Sequence, residues 1–192
     1  MINLYLLREY ILQSLREEKQ HLNAGEKLRV FDFDDTLVKT GSLIHVISAA
    51  GEKFDLTPGQ YAVYTPQEGD QFDYSDFEKL INPQAISWTV NILRNLAAKG
   101  SQVVILTARS AKQPVEQFLS DAGLPPYEVV ALGNANPQAK ADWISSKIQL
   151  DNIKLVEFFD DSEKNVAAVQ ELKKQHPDVK ITSRQVTHKS KI

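Results

Sequence analysis

Apolar side chains recur at three- and four-residue spacings over residues 2–22, at Leu4, Leu7, Ile11 and Leu15, with Glu9, Arg16, Glu17 and Lys19 largely on the other side. That pattern predicts an amphipathic helix within an N-terminal segment, 1–25, which "NAGEK" stops with Gly25 as a C-terminal cap. From "LRVFDF" onward the periodicity changes. Continuous apolar runs, "VVILT" (103–107), "YEVVAL" (127–132), "KLVEFF" (154–159) and a weaker "VKIT" (179–182), predict strands. Helical patterns lie between them: Ile86, Val90, Leu93 and Ala97; Val115, Phe118, Leu119 and Ala122; Trp143, Ile144 and Ile148; Val166, Val169 and Leu172. Strands that read as unbroken apolar runs and alternate with helices are covered on both faces. The fold class expected is therefore α/β, a Rossmann-like doubly wound, mostly parallel sheet, carried by one domain over 26–192 with a small insert after strand one at 38–82.

Composition narrows this picture only slightly. With 192 residues, 42% hydrophobic and 24% charged, the chain suits one globular domain with decoration. A net charge of -3 argues against a strongly basic nucleic-acid binder, though not against recognition of a strand end. There is no cysteine, so disulfides, zinc-thiolate sites and thiol nucleophiles are excluded. Arg8 and Glu9 interrupt what would have to be the apolar centre of a signal peptide, and no run reaches about 18 apolar residues, so a cytoplasmic protein without a membrane span is expected.

Ligands of doubly wound sheets sit at the carboxyl ends of the strands. Three polar clusters fall there: Asp32 to Thr36 after strand one, Thr107 to Arg109 after strand two, and Asp160 to Ser162 after "KLVEFF". Taken singly, Thr107 could be a turn or cap residue, and Asp161 or Ser162 could cap the next helix. Three strand ends delivering carboxylates and a hydroxyl to one sheet edge are harder to explain as caps. Like charges so placed repel, and burying them unpaired is costly, so a cation belongs among them. Carboxylates without His or Cys partners suit a hard cation such as Mg²⁺. In an extended stretch Asp32 and Asp34 point to the same side; one can attack a phosphoryl group to form an aspartyl phosphate while the other moves protons.

"DFDDT" at 32–36, "VVILTAR" at 103–109, Lys140 in "NPQAKADWI" and "FFDDSEKN" at 158–165 resemble, in order, motifs one to four of the haloacid dehalogenase (HAD) superfamily of phosphohydrolases. The resemblance spans roughly residues 28–182. It implies Asp32 as nucleophile and Asp34 as general acid and base, whose backbone carbonyl also ligates Mg²⁺. It implies Thr107 as the hydroxyl holding the phosphoryl oxygens, Lys140 as the lysine balancing charge between nucleophile and phosphate, and Asp160 and Asp161 as the acidic pair at the metal, Asp160 the more direct ligand. Asp32, Asp34, Asp160 and Asp161 are thus the implied metal set, and Thr107, Ala108, Arg109 and Lys140 the implied substrate contacts. Asp35 stands where the family often has glycine and receives no role. Dehalogenases of the superfamily lack the second aspartate, so its presence favours phosphoryl chemistry.

Only 32 residues separate Thr107 from Lys140, too few for a large cap beside a helix and a strand, and about 45 separate Thr36 from the helix expected near Pro83. A lightly capped site follows. Phe54, Tyr61, Tyr64, Phe72, Tyr74 and Phe77 concentrate aromatics in the insert, either to form its core or to stack on bases. Acidic residues outnumber lysines there, which would repel a long polyanion. "LINPQAISWTVNILRNLAAKGSQVVILTAR" and the paired aspartates also resemble polynucleotide 3′-phosphatases of the RNA-repair type, without the P-loop of a kinase half. The expected substrate is therefore a nucleotide or a nucleic-acid terminal phosphate, with a small phosphometabolite as alternative. Arg109 could touch substrate or form a salt bridge, and His45 could line the site or lie on a helix surface. The N-terminal helix could pack on its own sheet, in a homodimer, or on a protein partner; in the last case the chain would be a phosphate- or metal-binding assembly module. The basic C-terminus reads as a solvated helix face and tail, or as a nucleic-acid tether.

Overall fold

The computed structural model of the protein describes residues 8, 9, 12 and 23–187. Apart from those first three positions, the helix expected over 2–22 and its possible partners lie outside the described residues, as does the tail from 188. A 3₁₀ turn, Ala24–Glu26, leads into β1 (Lys27–Phe31). The insert follows as β2 (Val38–Lys39), β3 (Ile44–Ile47), β4 (Lys53–Leu56), α1 (Pro58–Val63), β5 (Gln71–Asp73), a 3₁₀ turn at Ser75–Glu78 and β6 (Gln84–Ala85). The chain then alternates through α2 (Ser87–Ala98), β7 (Gln102–Thr107), α3 (Gln113–Asp121), β8 (Glu128–Ala131), α4 (Pro137–Leu150), β9 (Leu155–Asp160), α5 (Glu163–Gln175) and β10 (Lys180–Gln185).

The main sheet has the order β10-β9-β1-β7-β8, and every pairing is parallel. This is the Rossmann-like doubly wound arrangement. The chain runs outward from β1 to β7 and β8, then returns to β9 and β10 on the other side, so the order reverses at β1. Its carboxyl end is the switch point, where a crevice opens. Both faces are buried, as the unbroken apolar runs require. On one face Phe31, Ile105 and Phe159 meet Val90 and Leu93 of α2 and Val115 and Phe118 of α3. On the other, Leu28, Val30, Val104 and Phe158 meet Ile144 and Ile148 of α4 and Val169 and Leu172 of α5. Phe31 and Phe159 are register partners and stack at 4.6 Å, 6° from parallel. Truncating either ring to Ala would cost about 3–5 kcal/mol. Among the described residues no helix is long and apolar enough to cross a membrane.

The insert is hung on a neck. β2 and β6 pair antiparallel, Val38 with Ala85 and Lys39 with Gln84. Gly41 N–H donates to Ile81 O (2.7 Å), and the buried Thr89 hydroxyl donates to Thr36 O (2.5 Å), tying α2 to the first turn after β1. Beyond the neck stands a second sheet, antiparallel, of order β4-β3-β5. Its alternation sorts the side chains: Val46 pairs with Phe54 and Phe72 on one face, and His45 pairs with Asp55 and Asp73 on the other. His45 is thus a strand residue on the outer, polar face, not a helix-surface one. It neither lines the cavity described below nor approaches Asp32. Four-residue strands with one alternation each carry too little periodicity to betray a sheet in the sequence. Gly51, at φ 82° in the β3–β4 turn, is the plainest local trace of the hairpin.

Candidate active site

The crevice at the carboxyl end of β1 widens into a cavity of about 670 Å³. Its floor holds Asp32, Asp34, Ala108, Arg109, Lys140 and Asp161. Asp32 follows β1 directly, and its N–H donates to Phe159 O of β9 (2.8 Å), so the sheet ladder itself sets its position. The chain then turns sharply. Leu37 N–H donates to Phe33 O (2.9 Å), Asp35 N–H to Val38 O (2.8 Å), and Asp35 takes φ 53°. That left-handed conformation is what a glycine would adopt most cheaply and what an aspartate tolerates.

Lys140 reaches in from the first turn of α4, whose start is fixed by the Asn136 side chain accepting from Gln138 N–H and by Pro137 at the first helical position. The lysine is buried. Its Nζ donates to Asp32 Oδ1 at 2.6 Å and to Asp160 Oδ2 at 2.7 Å. Burial alone would pull this ammonium down, but Asp160 and Asp32 outweigh it and hold Lys140 above its ordinary value, charged. Asp160, fully buried at the end of β9, also accepts from Ser162 N–H (2.9 Å) and, on both oxygens, from Asn165 Nδ2 (3.0 Å each). Ser162 in turn caps α5 by accepting from Asn165 N–H, so capping and site-building use the same residues.

Asp32, Asp160 and Asp161 each offer an oxygen within 4.8 Å of the others, and one lysine faces all three negative charges. The electrostatics record that imbalance. Burial pushes Asp32 well above 3.8; Lys140 opposes, while Asp160, Asp161 and Asp34 add to the rise. Burial, then Asp160 and Asp35, push Asp161 up to about 7. An all-oxygen trio carrying surplus negative charge fits a hard divalent cation and offers nothing to a soft one. Asp161 lines the cavity, whereas Asp160 is committed to Lys140 and Asn165, so the more accessible carboxylate of the pair is Asp161.

Asp34 stands apart from that trio. Arg109, buried, forks onto it with Nε to Oδ2 at 2.8 Å and Nη2 to Oδ1 at 2.7 Å. Any part for Asp34 in holding a cation falls to its main-chain carbonyl. The third arm of the guanidinium, Nη1, donates to the carbonyls of Phe77 (2.9 Å) and Lys79 (3.1 Å) in the insert, and the Phe77 ring lies 4.8 Å from the guanidinium carbon. Of the two possibilities for Arg109, the structure displays the salt bridge. Thr107 ends β7 beneath this pair. It is buried, its Oγ1 accepts from Arg109 N–H (3.1 Å), and it is not part of the cavity wall, unlike its neighbour Ala108. Thr36 also serves from below, its Oγ1 accepting from Asp161 N–H at 3.0 Å.

The residues singled out in the sequence therefore meet at one sheet edge. Sequence reasoning overlooked Asn165, whose place in the first turn after "DDSEK" was its only signal, and the bond from Thr36 to Asp161, which no spacing could reveal. It also left undecided where the insert's aromatics go. Tyr61, Tyr64, Tyr74 and Phe77 line the cavity opposite the carboxylates, with Ile44 and Pro58 beside them.

Comparison of the chain with protein-family models and with curated proteins found no match. Among solved structures it is similar to DsGPDH of Dunaliella salina, at 13% identity and a TM-score of 0.41, over 84% of this chain and 24% of that one. This chain thus spans about a quarter of that protein's length. So distant a likeness decides neither fold nor chemistry, and both rest on the topology and side chains described above.

Proposed function

We propose that the protein is a Mg²⁺-dependent phosphomonoesterase of the HAD type, acting in the cytoplasm through an aspartyl phosphate on Asp32 to release the phosphate of a nucleotide or a nucleic-acid end. The observation that carries this reading is the buried Lys140 bridging Asp32 and Asp160, with Asp161 completing a carboxylate trio at the bottom of a cavity.

Lys140 binds Asp32 at Oδ1, which leaves Oδ2 as the attacking atom. Its bond to phosphorus forms as the bond from phosphorus to the leaving oxygen breaks, and Asp34 supplies the proton that the leaving oxygen needs. In the second half a water attacks the aspartyl phosphate, Asp34 takes the water's proton, and Asp32 is regenerated with release of inorganic phosphate. Asp32, Asp160 and Asp161 would hold the cation, which when bound supplies positive charge against the phosphoryl oxygens. Lys140 favours the ionised form of the nucleophile against the effect of burial, and orients it. As Asp34 stands, Arg109 holds both its oxygens, so proton delivery requires Asp34 to leave that fork. Because the same guanidinium grips the carbonyls of Phe77 and Lys79, movement of the insert and release of Asp34 are mechanically linked.

Phosphate release is to be measured with Mg²⁺ and with EDTA, on an aryl phosphate, nucleoside monophosphates and 3′- and 5′-phosphorylated oligonucleotides, with Asp32→Asn as control. Release that requires both Mg²⁺ and Asp32 supports the reading. Equal release by folded Asp32→Asn sinks it.

A further inference from the structure

We infer that the cavity takes a monomeric phosphate ester whose leaving group carries a planar aromatic ring, a nucleoside monophosphate rather than the end of a long strand. This rests on the phosphatase reading for the identity of the reacting group, but on a separate set of residues for the leaving group.

The cavity is two-faced. Its floor is charged, while its roof is Tyr61, Tyr64, Tyr74 and Phe77 over Ile44 and Pro58. A structural explanation for the rings would have them fill the insert's own core. Yet none of Phe54, Tyr61, Tyr64, Phe72, Tyr74 and Phe77 is fully buried, and Tyr74 is 44% exposed, whereas the aliphatic Ile44 and Val46 are buried at 2% and 1%. Ile44 and Val46 are buried residues of the insert, and Tyr61, Tyr64, Tyr74 and Phe77 are left on the cavity wall, while Phe54 and Phe72 lie away from it.

That surface is held in place. Tyr61 and Tyr74 share a hydrogen bond between their hydroxyls (2.6 Å), and the Tyr64 hydroxyl donates to Asp70 Oδ2 (2.7 Å). Tyr61 meets Phe72 edge-on at 5.6 Å and Tyr74 at 5.7 Å, and Phe72 stacks near Tyr74 at 6.2 Å. Rings whose tips are fixed and whose edges are braced lose little freedom when a planar group lies against them. A volume of about 670 Å³ lies within the roughly 300–1,000 Å³ usual for small-ligand sites.

Charge argues against a longer ligand. Between residues 38 and 82 the insert carries Glu52, Asp55, Glu68, Asp70, Asp73, Asp76 and Glu78 against Lys39, Lys53 and Lys79. A strand leaving the cavity past the insert would cross this acidic surface, which repels its further phosphates. The walls thus offer charged groups for one phosphate at the floor and rings for one planar group at the roof, with Ser110, Asn134, Asn136 and Lys164 along the remaining wall.

The experiment compares kcat/KM of the full chain in Mg²⁺ for a nucleoside monophosphate, glycerol phosphate and a 3′-phosphorylated ten-nucleotide strand. It is repeated on Tyr74→Leu, Tyr74→Phe and Tyr61→Leu, with calorimetric binding of the same three compounds to Asp32→Asn. The nucleoside monophosphate should lead glycerol phosphate by roughly ten- to hundredfold, the range one stacked ring supplies. It should also lead the strand. Tyr74→Phe, which keeps the ring, should preserve the lead over glycerol phosphate, and the leucine variants should shrink it. Turnover that is equal for ring and glycerol esters, or faster on the strand, overturns the inference while leaving the phosphatase standing. No turnover, together with tighter binding of the ring compound, would sustain the ring site and overturn the phosphatase. No turnover and no binding preference overturns both.

Discussion

The floor of the cavity is assembled from residues far apart in the chain: Arg109 meets Asp34 across 75 positions, Lys140 meets Asp32 across 108, and Asp161 meets Thr36 across 125. The roof is made by near neighbours, His45 with Asp55 across 10 positions, Tyr61 with Tyr74 across 13 and Tyr64 with Asp70 across 6. Asp32, Arg109, Lys140 and Asp160 in the floor are buried and paired, so removing one strands another in a medium that solvates it poorly. The roof is partly solvated, and its bonds compete with water. On the proposed reading, the chemistry rests on buried, paired charges and selection of the leaving group on partly solvated rings. Arg109 joins the two, through Asp34 below and the Phe77 and Lys79 carbonyls above.

The sharpest way to break this contrast is to remove the floor's central cation. Lys140→Gln leaves Asp32 and Asp160 buried without their counter-charge and should lower the stability of the metal-free protein by about 3–5 kcal/mol, a Tm fall on the order of 10 °C. Mg²⁺ should restore more of the Tm in this variant than it adds to the parent, since three carboxylates then face the cation alone. A thermal melt in EDTA and in Mg²⁺ checks both, and an unchanged melt would show that the bridge holds nothing together.

Loosening the joint should have a smaller effect. Arg109→Lys keeps the charge but loses the third arm that fixes the insert over the floor, so kcat should fall roughly 10- to 100-fold with Tm lowered by only a few degrees. Faster hydrogen exchange at Phe77 and Lys79 in this variant would show that the roof had been released with the acid; unchanged exchange would separate the two regions.

Asp161 offers a gentler test of the floor. Its folded-state value is raised from 3.8 to about 7, so between those pH values the metal-free fold keeps a proton that the unfolded chain has lost. Stability of the metal-free protein should therefore fall as pH rises through that window. Asp161→Asn should remove the fall and raise Tm at pH 8 by about 3–6 °C, corresponding to roughly 1–2 kcal/mol once water's access to this carboxyl is allowed for. In the parent, Mg²⁺ affinity should climb as pH rises through about 7, because the cation needs Asp161 ionised. Melts from pH 5 to 8 with and without Mg²⁺ read both signs.

The least effect belongs to the roof's outer face. His45 Nδ1 lies 2.7 Å from Asp55 Oδ1, and this bond, aided by the charges of Asp55, Asp76 and Asp73, raises His45 above its ordinary 6.5. The support given to the β3–β4 pair is present at low pH and lost as pH climbs through the raised value. Titration of His45 by NMR should give a midpoint above 6.5, and Asp55→Asn should bring it down without altering Tm measurably. A midpoint unmoved by Asp55→Asn would mean that the pair does not form in solution.

Much of the floor was legible in the sequence. The central strands β1, β7 and β9 announced themselves as apolar runs because each is buried on both faces, and Asp32, Thr107 and Asp160 could be placed at strand ends by counting. The boundaries were close: "VVILT" became Gln102–Thr107 and "KLVEFF" became Leu155–Asp160. The insert was not legible as a sheet, since strands of two to four residues show at most one alternation, and its aromatics satisfy a core and a binding wall equally well on paper. Whether Asp34 faces the cation or a guanidinium was likewise invisible, because Arg109 pairs with it only after β1 and β7 lie side by side.

The sequence by itself thus determined the alternation of strand and helix, the burial of the sheet and the kinds of group brought to its carboxyl edge, since periodicity and residue chemistry are local properties. Only the tertiary structure decided who pairs with whom: Lys140 between two aspartates, Asp34 turned to Arg109, and four rings set over the cavity. Those choices depend on distances across the sheet and on how few neighbours a buried charge can find, and neither is written in any short stretch of the chain.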